Sequence, residues 1–107
     1  MTESEFNQQV DELLLAIEEA IEASGAEIDY DTSAGILTLE FENASKVIVN
    51  RQPASQQIWV AAKSGGFHLD YLPQQQQWQL PDDGETLVQL LSRVCSEQTG
   101  ESVSLVF

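Results

Sequence analysis

An α+β domain, with two helices packed on one face of an antiparallel sheet of about six strands, is predicted by three features of the sequence. A long amphipathic segment opens the chain, a shorter one lies near its end, and between them run short apolar stretches separated by turn residues. With 107 residues, 42% of them apolar, the chain supports one modest core, so positions 1–107 read as a single domain.

The first helix is expected to start at Thr2, which stands in capping-box spacing with Glu5, and to stop at Gly25. Phe6, Val10, Leu13, Leu14, Ile17 and Ile21 recur at steps of three and four and make one apolar stripe. On another face Asp11, Glu18 and Glu22 stack, with Glu12 and Glu19 beside them. A solvated helix face usually mixes lysines with its acids, and this one has none.

Glu27, Asp29 and Asp31 alternate with Ile28 and Tyr30, which predicts an edge strand whose acidic outer face extends the helix carboxylates. The stretch EIDYDTSAGILTLE, from Glu27 to Glu40, also carries oxygen residues at calcium-loop spacing. Ala34 stands where such a loop needs glycine, however, and a strand follows where the exiting helix belongs. In that second strand Leu37, Leu39 and Phe41 face one way, and Glu40 faces the open sheet.

The segment Glu42–Ser45 reads as a tight turn into a strand over Lys46–Arg51. Strands are expected over Gln57–Ala62, over Phe67–Leu72 after Gly65 and Gly66, and over Trp78–Leu80 after a hairpin loop at Gln74–Gln77. A second helix is expected to begin near Asp82–Glu85, with those acids at its N-terminus, and to end at Gly100. Leu87, Leu90, Leu91 and Val94 supply its core stripe, with Cys95 as a small packing residue at the flank. The apolar tail Val103–Phe107 packs back on the domain. If Val47, Val49, Ile58 and Val60 face the helices, alternation sends Ile48, Asn50, Trp59 and Ala61 outward. An outward tryptophan reads as a contact residue, whereas Trp78 reads as packing and His68 as a surface histidine.

The net charge of −14, from 18 acids against 4 Lys and Arg, argues against direct nucleic-acid binding, which needs a basic patch. No Lys or Arg precedes Lys46, so the first half of the chain is a field that attracts cations and basic protein surfaces. The start lacks a basic segment and an apolar run, and no stretch has membrane-spanning length, so no secretory signal and no membrane contact are expected. A lone Cys95 excludes an internal disulfide and fits a reducing compartment. A di-iron enzyme would bring inward Glu-x-x-His pairs, and none occurs. Glu3, Asp11, Glu18, Glu19, Glu22, Glu27, Asp29 and Asp31 are the carboxylates that a cation drawn into this field would meet. Such a ridge suits hard cations, binds them weakly and selects poorly among them.

Several motifs, in order, resemble the bacterial frataxin family, the CyaY group. They are the opening Ser-Glu-Phe, Ile17-Glu18-Glu19, Gly35-Ile36-Leu37-Thr38, Phe41-Glu42-Asn43, Ser45-Lys46, Asn50-Arg51-Gln52, Gln57-Ile58-Trp59, Gly65-Gly66-Phe67-His68 with Asp70, Trp78, and Gly84-Glu85-Thr86-Leu87. The resemblance covers essentially the whole chain. It implies a cytoplasmic, non-enzymatic, monomeric protein of iron–sulfur cluster assembly, with oligomerisation in excess iron left open. It implies weak, reversible binding of ferrous or ferric iron, with those eight carboxylates as the candidate metal ligands, and binding of the cysteine desulfurase and the scaffold protein. The implied role is regulation of cluster formation, with iron delivery as a further possibility. Partner contacts carried over by the resemblance fall on Asn50, Gln52, Gln57 and Trp59, and Glu12 and His68 join them as candidates. Asn7 stands where the family often has histidine, Ser33 replaces the last acid of the ridge strand, and the Gln74–Gln77 tract lengthens a loop. Two other readings remain: a protein that oxidises or detoxifies ferrous iron, and an acidic mimic of nucleic acid.

Overall fold

The computed structural model describes residues 1–107. Thr2 caps helix α1 (Glu3–Ser24): its hydroxyl accepts from the Glu5 amide at 3.1 Å, while the Glu5 carboxylate accepts from the Thr2 amide at 2.9 Å. The bond from the Thr2 N–H holds the Glu5 carboxyl below its usual range, because it favours the charged form. Gly25, at φ 73°, ends the helix and donates its N–H to the Glu22 carbonyl.

Six strands follow: β1 (Ile28–Ser33), β2 (Ile36–Phe41), β3 (Lys46–Gln52), β4 (Gln57–Ala62), β5 (Gly65–Leu72) and β6 (Gln77–Gln79). They lie in the order β1-β2-β3-β4-β5-β6, each antiparallel to the next, so β1 and β6 are the edges. Helix α2 (Leu87–Thr99) then packs beside α1 on the same face. Alternation works as expected: Leu37, Leu39, Phe41, Val47, Val49, Ile58, Val60 and Leu69 are buried against the helix stripes. Leu13 is only half-buried, and Ala20 takes a place in the core that its size had not suggested. Trp78 packs as expected, edge-on to Phe6 at 6.1 Å and tilted against Tyr71 at 5.0 Å. Cys95 is fully buried, and burial pushes its thiol up to about 12. Val103 and Leu105 of the tail are buried, held by bonds from their amides to Ser96 and Ser92 hydroxyls.

Several boundaries differ from the sequence reading, and β3 runs on to Gln52. Helix α2 starts at Leu87, later than Asp82–Glu85, because Leu80–Glu85 close a turn through Gly84 N–H to Leu80 O and Leu80 N–H to Glu85 O. The cap is Thr86, in a capping box with Gln89, and Glu85 instead grips Arg93 with both oxygens at 3.0 and 3.1 Å. Strand β5 begins at Gly65, paired with Ala62, so the connection is only Lys63-Ser64. Gln77 belongs to β6, opposite Leu72, and Leu80 has left the ladder. The would-be calcium loop is the β1–β2 hairpin, in which Ala34 and Gly35, at φ 54° and 76°, join Ser33 to its partner Ile36.

No helix is long and apolar enough to cross a membrane.

Candidate functional site: an acidic rim and an open sheet

The acidic rim is built on the seam between α1 and the edge strand β1. Glu22 accepts from the Tyr30 phenol at 2.7 Å, and Glu18 accepts from the Thr32 hydroxyl at 2.5 Å. The match is geometric: four residues of helix rise about 6 Å and two of strand about 6.6 Å, so both pairs close together. Glu22 accepting that bond, with its charge and that of Glu18 nearby, raises the Tyr30 phenol above its usual pKa. Glu19 stays exposed, and Glu12, also exposed, accepts from the Gln8 amide at 3.3 Å. Glu3 lies in the first helical turn. Asp11 is engaged elsewhere, in an ion pair of 2.6 Å with Arg51 of β3.

Glu27, Asp29 and Asp31 are exposed, and within β1 the acids face away from the helix carboxylates. Ile28 is buried while Tyr30 and Thr32 reach α1, so alternation turns Asp29 and Asp31 to the open side of the sheet, and Glu27 lies just before the strand. The two sets share one edge and sit on its opposite faces. On the open side Asp29 lies opposite Glu40.

Two acids of this region escaped the sequence reading. Glu42, in the turn after β2, and Glu101, beyond α2, line with Glu27 a cavity of about 540 Å³ that no hydrophobic residue borders. The hydrogen bond shared with Glu27, and the charge of Glu27, raise the Glu42 carboxyl above its usual range. No local spacing announces this meeting, since it depends on the Asn43 side-chain amide bonding Gln98, 55 residues away.

The donors of the rim are carboxylate and hydroxyl oxygens, which suit hard cations such as iron. No three of the molecule's His, Cys, Asp and Glu side chains converge to hold a metal ion. Any cation therefore meets scattered oxygens with no ready cage.

The open sheet face carries the second candidate surface. Asn50, Trp59 and His68 lie in one cross-strand row of β3, β4 and β5. Trp59 is 36% exposed and stacked on His68, with ring centroids 4.2 Å apart and planes at 11°. Its indole N–H donates to Gln57 Oε1 at 3.0 Å, and the Gln57 amide donates to Asp70 at 3.0 Å, so the ring is fixed before anything docks. Gln52 pairs with Gln57 in the adjacent row.

Comparison with known proteins fits this architecture. The frataxin-like domain family matches residues 1–101. The chain belongs to the frataxin family. Bacterial frataxins similar to it include the iron–sulfur cluster assembly protein CyaY of Vibrio vulnificus, 45% identical over 96% of this chain and 97% of the relative. CyaY of Photobacterium profundum is 43% identical over 96% of each. Among solved structures, frataxin of Psychromonas ingrahamii superposes with a TM-score of 0.90 at 41% identity, covering all of both chains. Trimeric frataxin of Saccharomyces cerevisiae complexed with ferrous iron gives a TM-score of 0.67 at 29% identity, over 94% of this chain and 88% of the yeast one.

Proposed function

We propose that this frataxin-family protein serves iron–sulfur cluster assembly as a binding and regulatory component. It docks on a basic surface of the cysteine desulfurase through the acidic rim, and holds iron weakly and reversibly on the same carboxylates. It works in the cytoplasm, as a non-enzymatic single-domain monomer. The observation that carries the reading is a rim of acids on α1 and β1 that contains no lysine or arginine, in a chain whose bacterial relatives are named for cluster assembly. The ferrous complex of the yeast relative supports iron as the cation. Asn50, Gln52, Gln57, Trp59 and His68 form the contact face for a further protein, the scaffold on which clusters are built.

Docking driven by charge must weaken with salt. Pull-down with the purified desulfurase is expected to fall by roughly an order of magnitude between about 0.05 M and about 0.5 M salt. The triple variant Glu18→Gln, Glu19→Gln, Glu22→Gln is expected to bind poorly at every salt concentration. Affinity indifferent to ionic strength would exclude electrostatic docking. Oxygen uptake with ferrous iron is expected to match the uncatalysed rate; faster turnover lost in the triple variant would make the protein an iron-oxidising enzyme instead.

A further inference from the structure

Gly65 and Gly66 open β5, and only one of them is demanded by the fold. Gly65 has φ +144°, a conformation that side chains disfavour. Gly66 has no such φ, and a Cβ built on it meets no atom within 4 Å. A glycine weakens a strand, and in a strand it often marks close approach by another chain. Nothing inside this molecule fills the space of the missing side chain, which stands open to solvent.

The surroundings of Gly66 form a step. Its cross-strand partner is the exposed Ala61, which lies opposite Ile48, itself 37% exposed, so this row is low and apolar. The next row rises as the stacked rings of Trp59 and His68. On the other side Lys46 and Lys63 line a shallow hollow of about 440 Å³ together with Ile48 and Ala61. Lys46 lies opposite Glu40 on β2, yet neither lysine makes an ion pair, and the three that the molecule forms all belong to Arg51 and Arg93. In a protein of net charge −14, two unpaired cations beside a bare apolar floor are a local reversal of sign.

We propose that Ala61 and Gly66 form a seat for an aliphatic side chain of a protein partner, with a neighbouring carboxylate of that partner meeting Lys46 and Lys63. The ring wall fixes one side of the seat, and the absent Gly66 side chain lets the partner's backbone come close. This rests on the reading of the open sheet as a protein contact face, and adds the chemistry that the contact requires.

Gly66→Val separates folding from docking. Valine is favoured in strands and its Cβ meets open space, so the variant is expected to melt at or above the temperature of the unsubstituted protein. It is expected to bind its partner roughly tenfold or more weakly, the scale of one central interface contact. Desulfurase and scaffold protein are each titrated into isotope-labelled protein, and the Gly66 amide and Trp59 indole resonances are followed by NMR. The double variant Lys46→Ser, Lys63→Ser is expected to weaken the same complex, and the Glu18, Glu19 and Glu22 triple variant to leave the shift at Gly66 in place when the scaffold protein is the titrant. If Gly66→Val melts lower, Gly66→Ala takes its place with the same expected loss. Variants that bind both partners within about twofold of normal overturn the seat and leave the functional reading standing. Binding of neither partner by the unsubstituted protein sinks both. Loss of self-association alone, read by sedimentation, makes the occupant a second copy and also overturns the proposal.

Discussion

Arg51 alternates with Val47 and Val49 toward the helices, so its guanidinium ends beneath α1. There Nη2 donates to Asp11 at 2.6 Å and to the Gly35 carbonyl at 3.4 Å, while Nη1 donates to the Asn7 carbonyl and side-chain oxygen at 3.3 and 3.2 Å. One side chain thus ties α1, the β1–β2 turn and β3. Replacing it by alanine leaves several half-buried acceptors without a donor, and is expected to cost about 2 kcal/mol in urea unfolding. Arg51→Lys is expected to recover little, because an ammonium has no planar fork to span three partners. Equal stability of Arg51→Ala and the parent would remove the strut. Helical periodicity grouped Asp11 with the free acids, and nothing local could separate it from them. The cation that occupies it lies 40 residues on, and Asn7, noticed only for replacing a histidine, has the same partner.

At the level of elements, what the sequence revealed depends on how local the cause is. Thr2 and Glu5 cap each other three residues apart, and the apolar stripe behind them is long, so α1 was legible to its ends. Thr86 and Gln89 make the same box, but the acid run Asp82, Asp83 and Glu85 drew the expected start upstream. Those acids serve a turn and an ion pair with Arg93, a residue of the following helix. The hairpin turn of β1 and β2 shows a cost that composition hides. Ala34 sits at φ 54°, where a Cβ is strained, and a two-residue turn of this hand prefers Asn before Gly. Ala34→Asn is therefore expected to stabilise the protein by about 1 kcal/mol, raising the melting temperature by roughly 4–8 °C in a scanning calorimeter. No change, or a fall, would mean that the turn carries no strain.

Across the whole molecule, the acids matter through where the fold gathers them. Helical stacking grouped the acids of α1 and alternation those of β1, but neither showed that the two sets sit on opposite faces of one edge. Glu27, Glu42 and Glu101 line one cavity only because the β2–β3 turn and the end of α2 come together there. The Glu42 carboxyl is raised, first by its hydrogen bond to Glu27 and then by the charge of Glu27. A folded pKa above the unfolded one means that the native state holds the proton more tightly. The stability this gives is complete below the ordinary value of 4.5 and is lost as pH rises through the folded value. Glu5 acts in the opposite sense: its lowered pKa stabilises above the ordinary value, and that contribution is lost only as pH falls through the lowered one. As pH falls from neutrality toward 4.5, protonation of Glu42 therefore stabilises the fold before Glu5 begins to oppose it. The melting temperature is expected to rise over that interval, and added salt at about pH 7 is expected to raise it too. Glu42→Gln keeps a hydrogen-bonding side chain without the charge. It is expected to melt higher than the parent at neutral pH and to show a flatter pH profile. A variant whose profile runs parallel to the parent's would assign the pH dependence to the rim of α1 and β1 and not to the Glu27–Glu42 pair.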